Sequence, residues 1–379
     1  MPTLTSGQRR GKIPAGLLGM LLLVLLTERY IAQHNVDYKR SDYWDWRSTS
    51  RAAGSNVKDC QVLCLGTSRI QQSVLPNLIE AGSGLRTWNL AMCWGQAPAS
   101  YFLLKRALDS GAKPKALLVE YHQAALQNDI WSAQGFWPEL LNYRETLELG
   151  WADRNPSWFL STTVAHSFAS VQDRAEIRAE VLASLEGKSA SNAASTLTAM
   201  RNRNVNRGAY VFPSSGGFKG TIGEQYQGAF YGSAWTCSDL NRLYIQRLLE
   251  LASAKGIHVY WVLPPFAPEL QDKREKSSNA ERYTEFVQGW MEKYPNLSVL
   301  DGEHSAYEPN VFFDAAHLDR KGAVAFSTAL AAQLKADRLQ GATERWVRLP
   351  SFRDEEPHAP VEDLMMSQAY LQSTGKLRR

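Results

Sequence analysis

Short apolar runs alternate with amphipathic stretches along this chain, and no other feature restricts its fold as much. Gln61 to Leu65 reads as a buried strand and Ile70 to Glu80 as a helix. Leu85 to Ala91 reads as a second strand, Pro98 to Ser110 as a second helix, and Lys115 to Tyr121 as a third strand. After a long interval the pattern resumes with a helix from Ser238 to Lys255 and a strand from His258 to Leu263. A helix from about Ala280 to Lys293, a strand from Leu297 to Leu300 and a last helix from about Asp319 to Leu334 complete it. Strands joined through helices pair in parallel, and a parallel sheet is covered on both faces. The expected architecture is a flavodoxin-like three-layer α/β/α fold with about five parallel strands and a large insertion after strand three. In such sheets ligands gather at the carboxyl ends of the strands.

The remainder divides by composition. Residues 122–236 are too long for a loop and read as an insertion that caps the site and selects the substrate. It holds Trp131, Trp137, Trp151, Trp158 and Trp235, whose rings either stack on sugar faces or fill the insertion's own core. At the N-terminus, Arg9, Arg10 and Lys12 precede an uncharged, leucine-rich stretch from Ile13 to Thr27. As a helix it spans about 22 Å, short of a hydrocarbon core of roughly 30 Å, with Tyr30, Ile31 and Ala32 extending it. The pattern suggests a cytoplasmic basic tip and an N-terminal membrane helix over residues 1–35, with the main domain outside the cytoplasm. A cleaved signal peptide or a plain apolar helix competes with that reading. Residues 36–59 read as a linker, 60–121 and 237–340 as the α/β domain, and 341–379 as a polar C-terminal extension, peripheral or disordered.

Charge and cysteine content narrow the partners. Lys plus Arg number 42 against 38 Asp plus Glu, and no basic block interleaved with aromatics argues for nucleic acid. Cys60, Cys64, Cys93 and Cys237 fit no zinc spacing, and no cofactor or metal is expected. Cys64 suits a buried strand with Cys60 on the same face, while pairing of Cys93 with Cys237 stays open.

Two short segments carry chemistry. Strand one breaks into Gly66-Thr67-Ser68, and Asp314-Ala315-Ala316-His317 precedes the last helix. A serine hydroxyl attacks poorly near neutral pH unless an imidazole takes its proton, and that imidazole needs an acceptor on its other nitrogen. An Asp three residues before the His supplies one within a single turn. Backbone N–H groups at a strand-to-helix turn suit a developing oxyanion. Each segment alone is common as a surface turn or cap, but their places after the first strand and before the last helix put both on one rim.

Together the segments resemble the SGNH (GDSL-like) hydrolase superfamily. Gly66-Thr67-Ser68 is similar to its first block, with Thr67 where many members carry Asp, and Asp314 to His317 is similar to its last. The nearest likeness is to its membrane-anchored extracytoplasmic branch of polysaccharide O-acyltransferase and esterase-like proteins, over roughly residues 60–121 and 237–335. The resemblance implies Ser68 as nucleophile, His317 as general base and Asp314 as its orienter. It also places a second block at Asn89 to Gln96, with Gly95 as oxyanion donor and Asn89 as a structural or polar contact. The third block, Gly-x-Asn-Asp, is missing, since the chain reads Val119-Glu120-Tyr121-His122-Gln123 after strand three. Losing one oxyanion donor typically costs about 100- to 1000-fold in rate.

The implied function is a membrane-anchored serine esterase or acyltransferase acting through an acyl-serine on ester-linked acyl groups, acetyl foremost, of a cell-surface glycan. Its implied partners are the acylated glycan or an acyl donor, the membrane, and a membrane-bound acyltransferase. The alternative is a polysaccharide-binding or assembly accessory that kept the fold without turnover. A third reading makes Ser68 and His317 structural members of an unrelated α/β protein, favoured if their side chains lie more than about 8 Å apart. Glu120 and His122 share the rim, where they could polarise a substrate or bind a metal, but two residues do not make a metal site. Asp301-Gly302 reads as a turn, with Asp301 in reach of a rim network.

Overall fold

The computed structural model describes residues 15–33, 40–214, 216–337, 339 and 344–377. Its strands are β1 (Val62–Gly66), β2 (Thr87–Asn89), β3 (Ala116–Glu120), β4 (His258–Leu263), β5 (Leu297–Asp301) and β6 (Trp346–Arg348). They form a single sheet in the order β2–β1–β3–β4–β5–β6, parallel at every step. The strands are largely apolar because both faces are buried. Leu63, Leu65, Leu117, Val119 and Trp261 enter one core, and Val62, Cys64, Leu118, Tyr260 and Val262 the other. Helices Ala97–Asp109, Asp239–Ala254 and Ser278–Lys293 close the first core through Phe102, Tyr244 and Val287. Pro76–Ser83 and Arg320–Asp337 close the second through Leu78, Phe326 and Leu330. The order turns back at β1, with β2 on one side and β3 on the other, which opens a crevice at the carboxyl ends of β1 and β3.

Several expectations need correction. The helix expected from Ile70 to Glu80 is two, Ser68–Ser73 and Pro76–Ser83. Pro76 lacks an N–H and pushes Leu75 into extended backbone, so one helix cannot run through it. Cys60 lies outside β1 and packs in the opposite core from Cys64 rather than on its face, and all four cysteines are unpaired. The linker is a helix, Ser41–Ser55, whose buried Trp46 meets Trp137 of the insertion edge-on at 5.1 Å. The polar extension is also integral. It supplies β6, and its helix Leu364–Ser373 packs beside the insertion helix Ala193–Val205, where Arg201 pairs with Glu362 at 2.7 Å. Trp137, Trp158 and Trp235 are buried core residues, whereas Trp131 and Trp151 are exposed.

The N-terminal helix Ala15–Gln33 leaves Leu17 to Leu26 exposed on every side. Its apolar run ends where Glu28 and Arg29 follow Thr27, and Glu28 accepts the Ser170 N–H at 3.1 Å. Among the described residues no helix is long and apolar enough to cross a membrane, so the expected spanning helix is not found there. Arg9, Arg10 and Lys12 lie outside the described residues.

Candidate active site

The site begins where β1 stops. Gly66 has φ +136°, and a Cβ on it would lie 1.9 Å from the Glu120 carbonyl oxygen, so only glycine fits between the paired ends of β1 and β3. Thr67 then caps the helix Ser68–Ser73, its hydroxyl accepting the Arg69 N–H at 3.2 Å. The same hydroxyl donates to Glu120 Oε2 at 2.5 Å, and the Thr67 N–H donates to that oxygen at 3.4 Å. The buried Glu120 thus grips the residue before Ser68. Burial raises its pKa, opposed by the Arg69 charge and the Thr67 bonds.

Ser68 Oγ lies 2.9 Å from His317 Nε2. His317 Nδ1 lies 2.9 Å from Asp314 Oδ1 and 2.8 Å from Oδ2. Asp314 Oδ1 also accepts the Ala316 and His317 N–H groups at 2.8 and 3.0 Å, which curls the loop and aims the imidazole. Burial alone would raise the Asp314 pKa, but the His317 hydrogen bond and charge and the two N–H donors outweigh it and hold the carboxyl below its usual range. Chemically the chain of contacts is a proton path from a hydroxyl to an imidazole whose cation a carboxylate is placed to stabilise.

Arg69, which the sequence reading passed over, joins the loops. Its guanidinium is buried, donates to the carbonyls of Pro264 and Pro265 after β4, and reaches Ala316 O from Nε at 3.4 Å. Nη1 stands 3.8 Å from Glu120 and 4.0 Å from Glu303, and the group stacks 3.4 Å over Phe266. Burial lowers its pKa to about 10 against the pull of those two carboxylates. The one available signal was an arginine placed directly after the candidate nucleophile. Tyr226, from the insertion, is a second omission. Burial, then the facing Asp314 carboxylate, push its phenol pKa up.

Other expected site residues take different roles. Asn89 is buried, donates to Ile70 O and Val74 O at 3.1 and 3.0 Å, and accepts the Ala91 N–H at 3.0 Å. It fastens β2 to the end of the serine helix. Gly95 donates its N–H to Met92 O at 3.0 Å, so that hydrogen is committed. A Cβ there would lie 2.2 Å from Gly66 O, so Gly95 serves close approach of its loop to β1. Neither lines the cavity, a cleft of about 780 Å³ walled by Ser68, His317, Trp94, Gln96, His122 and Phe230 among others. No described residue accepts the Ser68 N–H. Glu120 and His122 do not converge, since Glu120 faces Thr67 and Arg69 while His122 Nδ1 accepts the Ala125 N–H at 3.3 Å. Among the described residues no cluster of three His, Cys, Asp or Glu could hold a metal. No family model matches this chain, and no curated protein matches it in sequence.

Proposed function

We propose that this protein is a serine esterase or acyltransferase of the SGNH type, with a flavodoxin-like three-layer α/β/α domain. The contact between Ser68 Oγ and His317 Nε2, at 2.9 Å, carries the reading. Ser68 Oγ attacks the ester carbonyl while its proton passes to Nε2, and Asp314 stabilises the imidazolium. The Ser68 N–H faces the oxyanion. Collapse breaks the ester C–O bond, and the departing alcohol takes the proton from His317. Water or an acceptor hydroxyl, deprotonated by His317, then attacks the acyl carbonyl; the bond to Ser68 Oγ breaks and His317 returns the proton to Oγ. The substrate proposed is an acetylated cell-surface glycan, for which Trp94 offers a flat face. That ring is exposed beside Ser68 and held at φ +60°, a strained backbone for so large a residue.

The location proposed is extracytoplasmic, at a membrane, with a membrane-bound acyltransferase as companion. Two observations support membrane contact: the bare leucine tract Leu17–Leu26, and the exposed stripe of Leu160, Val164, Phe168 and Val171 running to Ser170, where Glu28 docks. The activity is tested by treating the full-length protein with a fluorophosphonate probe and reading intact mass. Labelling that disappears in Ser68→Ala and His317→Ala supports the assignment. Folded protein that takes no label would move the fold to the role of a binding accessory.

A further inference from the structure

Negative charge grows on the carbonyl oxygen as Ser68 attacks, and one backbone N–H is a thin cradle for it. Gly95 does not supply the second donor, because its N–H is bound to Met92. Gln96 has Nε2 bonded to Asp129 O at 2.9 Å and Ser132 Oγ at 3.2 Å, and the Arg69 guanidinium is taken up by carbonyls and carboxylates. Among the other polar side chains of the cavity wall, His122 stands with Ser68 and His317. It stands just past the end of β3, whose Glu120 is level with Gly66.

The ring is held on two sides. Nδ1 accepts the Ala125 N–H as the cap of the helix Gln123–Gln127, and the ring lies 5.3 Å from that of Phe230 in the insertion. An accepting Nδ1 carries no proton, so the neutral ring bears it on Nε2. We propose that His122 is an oxyanion donor, its Nε2–H binding the carbonyl oxygen together with the Ser68 N–H. The proposal rests on Ser68 being the nucleophile. Burial, reinforced by the charge of Arg69, by that of the His317 imidazolium once Ser68 has passed its proton, and by Arg274, keeps the ring neutral by pushing its pKa well below that of an ordinary histidine. A neutral donor suits the task, since it stabilises the oxyanion without becoming a rival acid to His317. When Ser68 Oγ bonds to the carbonyl carbon, the carbonyl π pair moves to oxygen and the serine proton moves to His317. His122 keeps its proton throughout.

The test separates the donor from the cap. His122→Asn caps a helix and still offers an N–H, whereas His122→Asp caps equally well and presents only acceptors. Fluorophosphonate labelling is followed at several probe concentrations, because the phosphonyl oxygen occupies the oxyanion position. The maximal labelling rate of H122D should fall about 100- to 1000-fold with the reversible binding constant little changed. H122N should keep most of the rate and the wild-type pH midpoint, with both variants unfolding at the wild-type urea concentration. If H122D fails to fold, His122→Ala carries the same test and the same expected loss. H122D labelled on Ser68 at the wild-type rate overturns the donor role and leaves Ser68 standing. Wild type without label on Ser68 overturns the nucleophile, and the oxyanion with it. Nitrogen-15 shifts showing His122 protonated on Nδ1 near neutral pH would also overturn it.

Discussion

Gly66→Ala tests whether the paired ends of β1 and β3 build the site. The added methyl would lie 1.9 Å from Glu120 O, where contacts under 3.0 Å are essentially never seen, so the strand ends must part by roughly an ångström. The backbone at φ +136° adds strain of about 1–3 kcal/mol for a residue with a Cβ. Parting the ends also weakens the two bonds from Thr67 to Glu120, each worth about 0.5–1.5 kcal/mol. The expected loss is therefore about 2–6 kcal/mol. Ser68 would also move out of range of His317, since its 2.9 Å contact leaves little slack. Gly84→Ala is the control. It too has positive φ, +75°, but open space around it, so only strain of about 1–2 kcal/mol applies. Urea unfolding with a shared slope reads both losses, and fluorophosphonate labelling reads the site. The reasoning is refuted if G66A is no less stable than G84A and labels at the wild-type rate.

Two further outcomes follow from charge. Asp314→Asn should slow labelling by about 10⁴-fold, as the imidazole loses its anionic partner. Because the folded Asp314 pKa is depressed, its ionised form adds stability above the unfolded value near 3.9 that fades as pH falls through the lower folded value. Wild type and D314N should therefore differ in stability at neutral pH and converge in strong acid, and a constant difference down to about pH 2 would contradict this. Replacing Leu18, Leu22 and Leu25 with Glu should abolish flotation of the full-length protein with phosphatidylcholine vesicles, each charge costing roughly 2.5–3.5 kcal/mol in a bilayer. Wild type that stays in the aqueous fraction would refute membrane contact by this tract.

Strands β1, β3, β4 and β5 were legible because burial on both faces makes each mostly an apolar run, interrupted within β5 by Ser298. β6 was not, since Trp346-Val-Arg348 is too short and too polar to show a period, and its place is set by the Leu349 N–H bound to Asp301 O at 2.8 Å. The helix Ser41–Ser55 was also hidden. Besides the buried Trp46, its contribution is polar and long-range, with Asp45 holding the Cys93 N–H and Gln71 Nε2 while paired with Arg203. Ser68, Asp314 and His317 could be picked out because their chemistry demands particular side chains. Gly95 and Asn89 were drawn to the site by block position, yet backbone donors cannot be read from residue type. Which N–H is already bonded depends on the fold of the Met92–Gly95 turn.

Spacing alone does not make a proton relay. Asp301-Gly302-Glu303-His304 repeats the Asp-x-x-His spacing at the end of β5 and forms the same bond, His304 Nδ1 to Asp301 Oδ2 at 2.9 Å. Its Nε2 faces Glu275 at 3.4 Å rather than a hydroxyl, and the Asp301 bond, opposed by burial, raises the ring's pKa. With one nitrogen on Asp301 and the other facing Glu275, neither is turned toward a serine. The difference lies in what brings each loop to β1. The loop from Asp314 to His317 is tied down by the Ala267 N–H to Ala315 O at 3.0 Å and by Arg69 to Ala316 O at 3.4 Å. Arg69 follows Ser68 directly, so the serine helix carries its own fastening for the loop that holds its base. Loss of that fastening would separate Ser68 from His317 while leaving each residue intact.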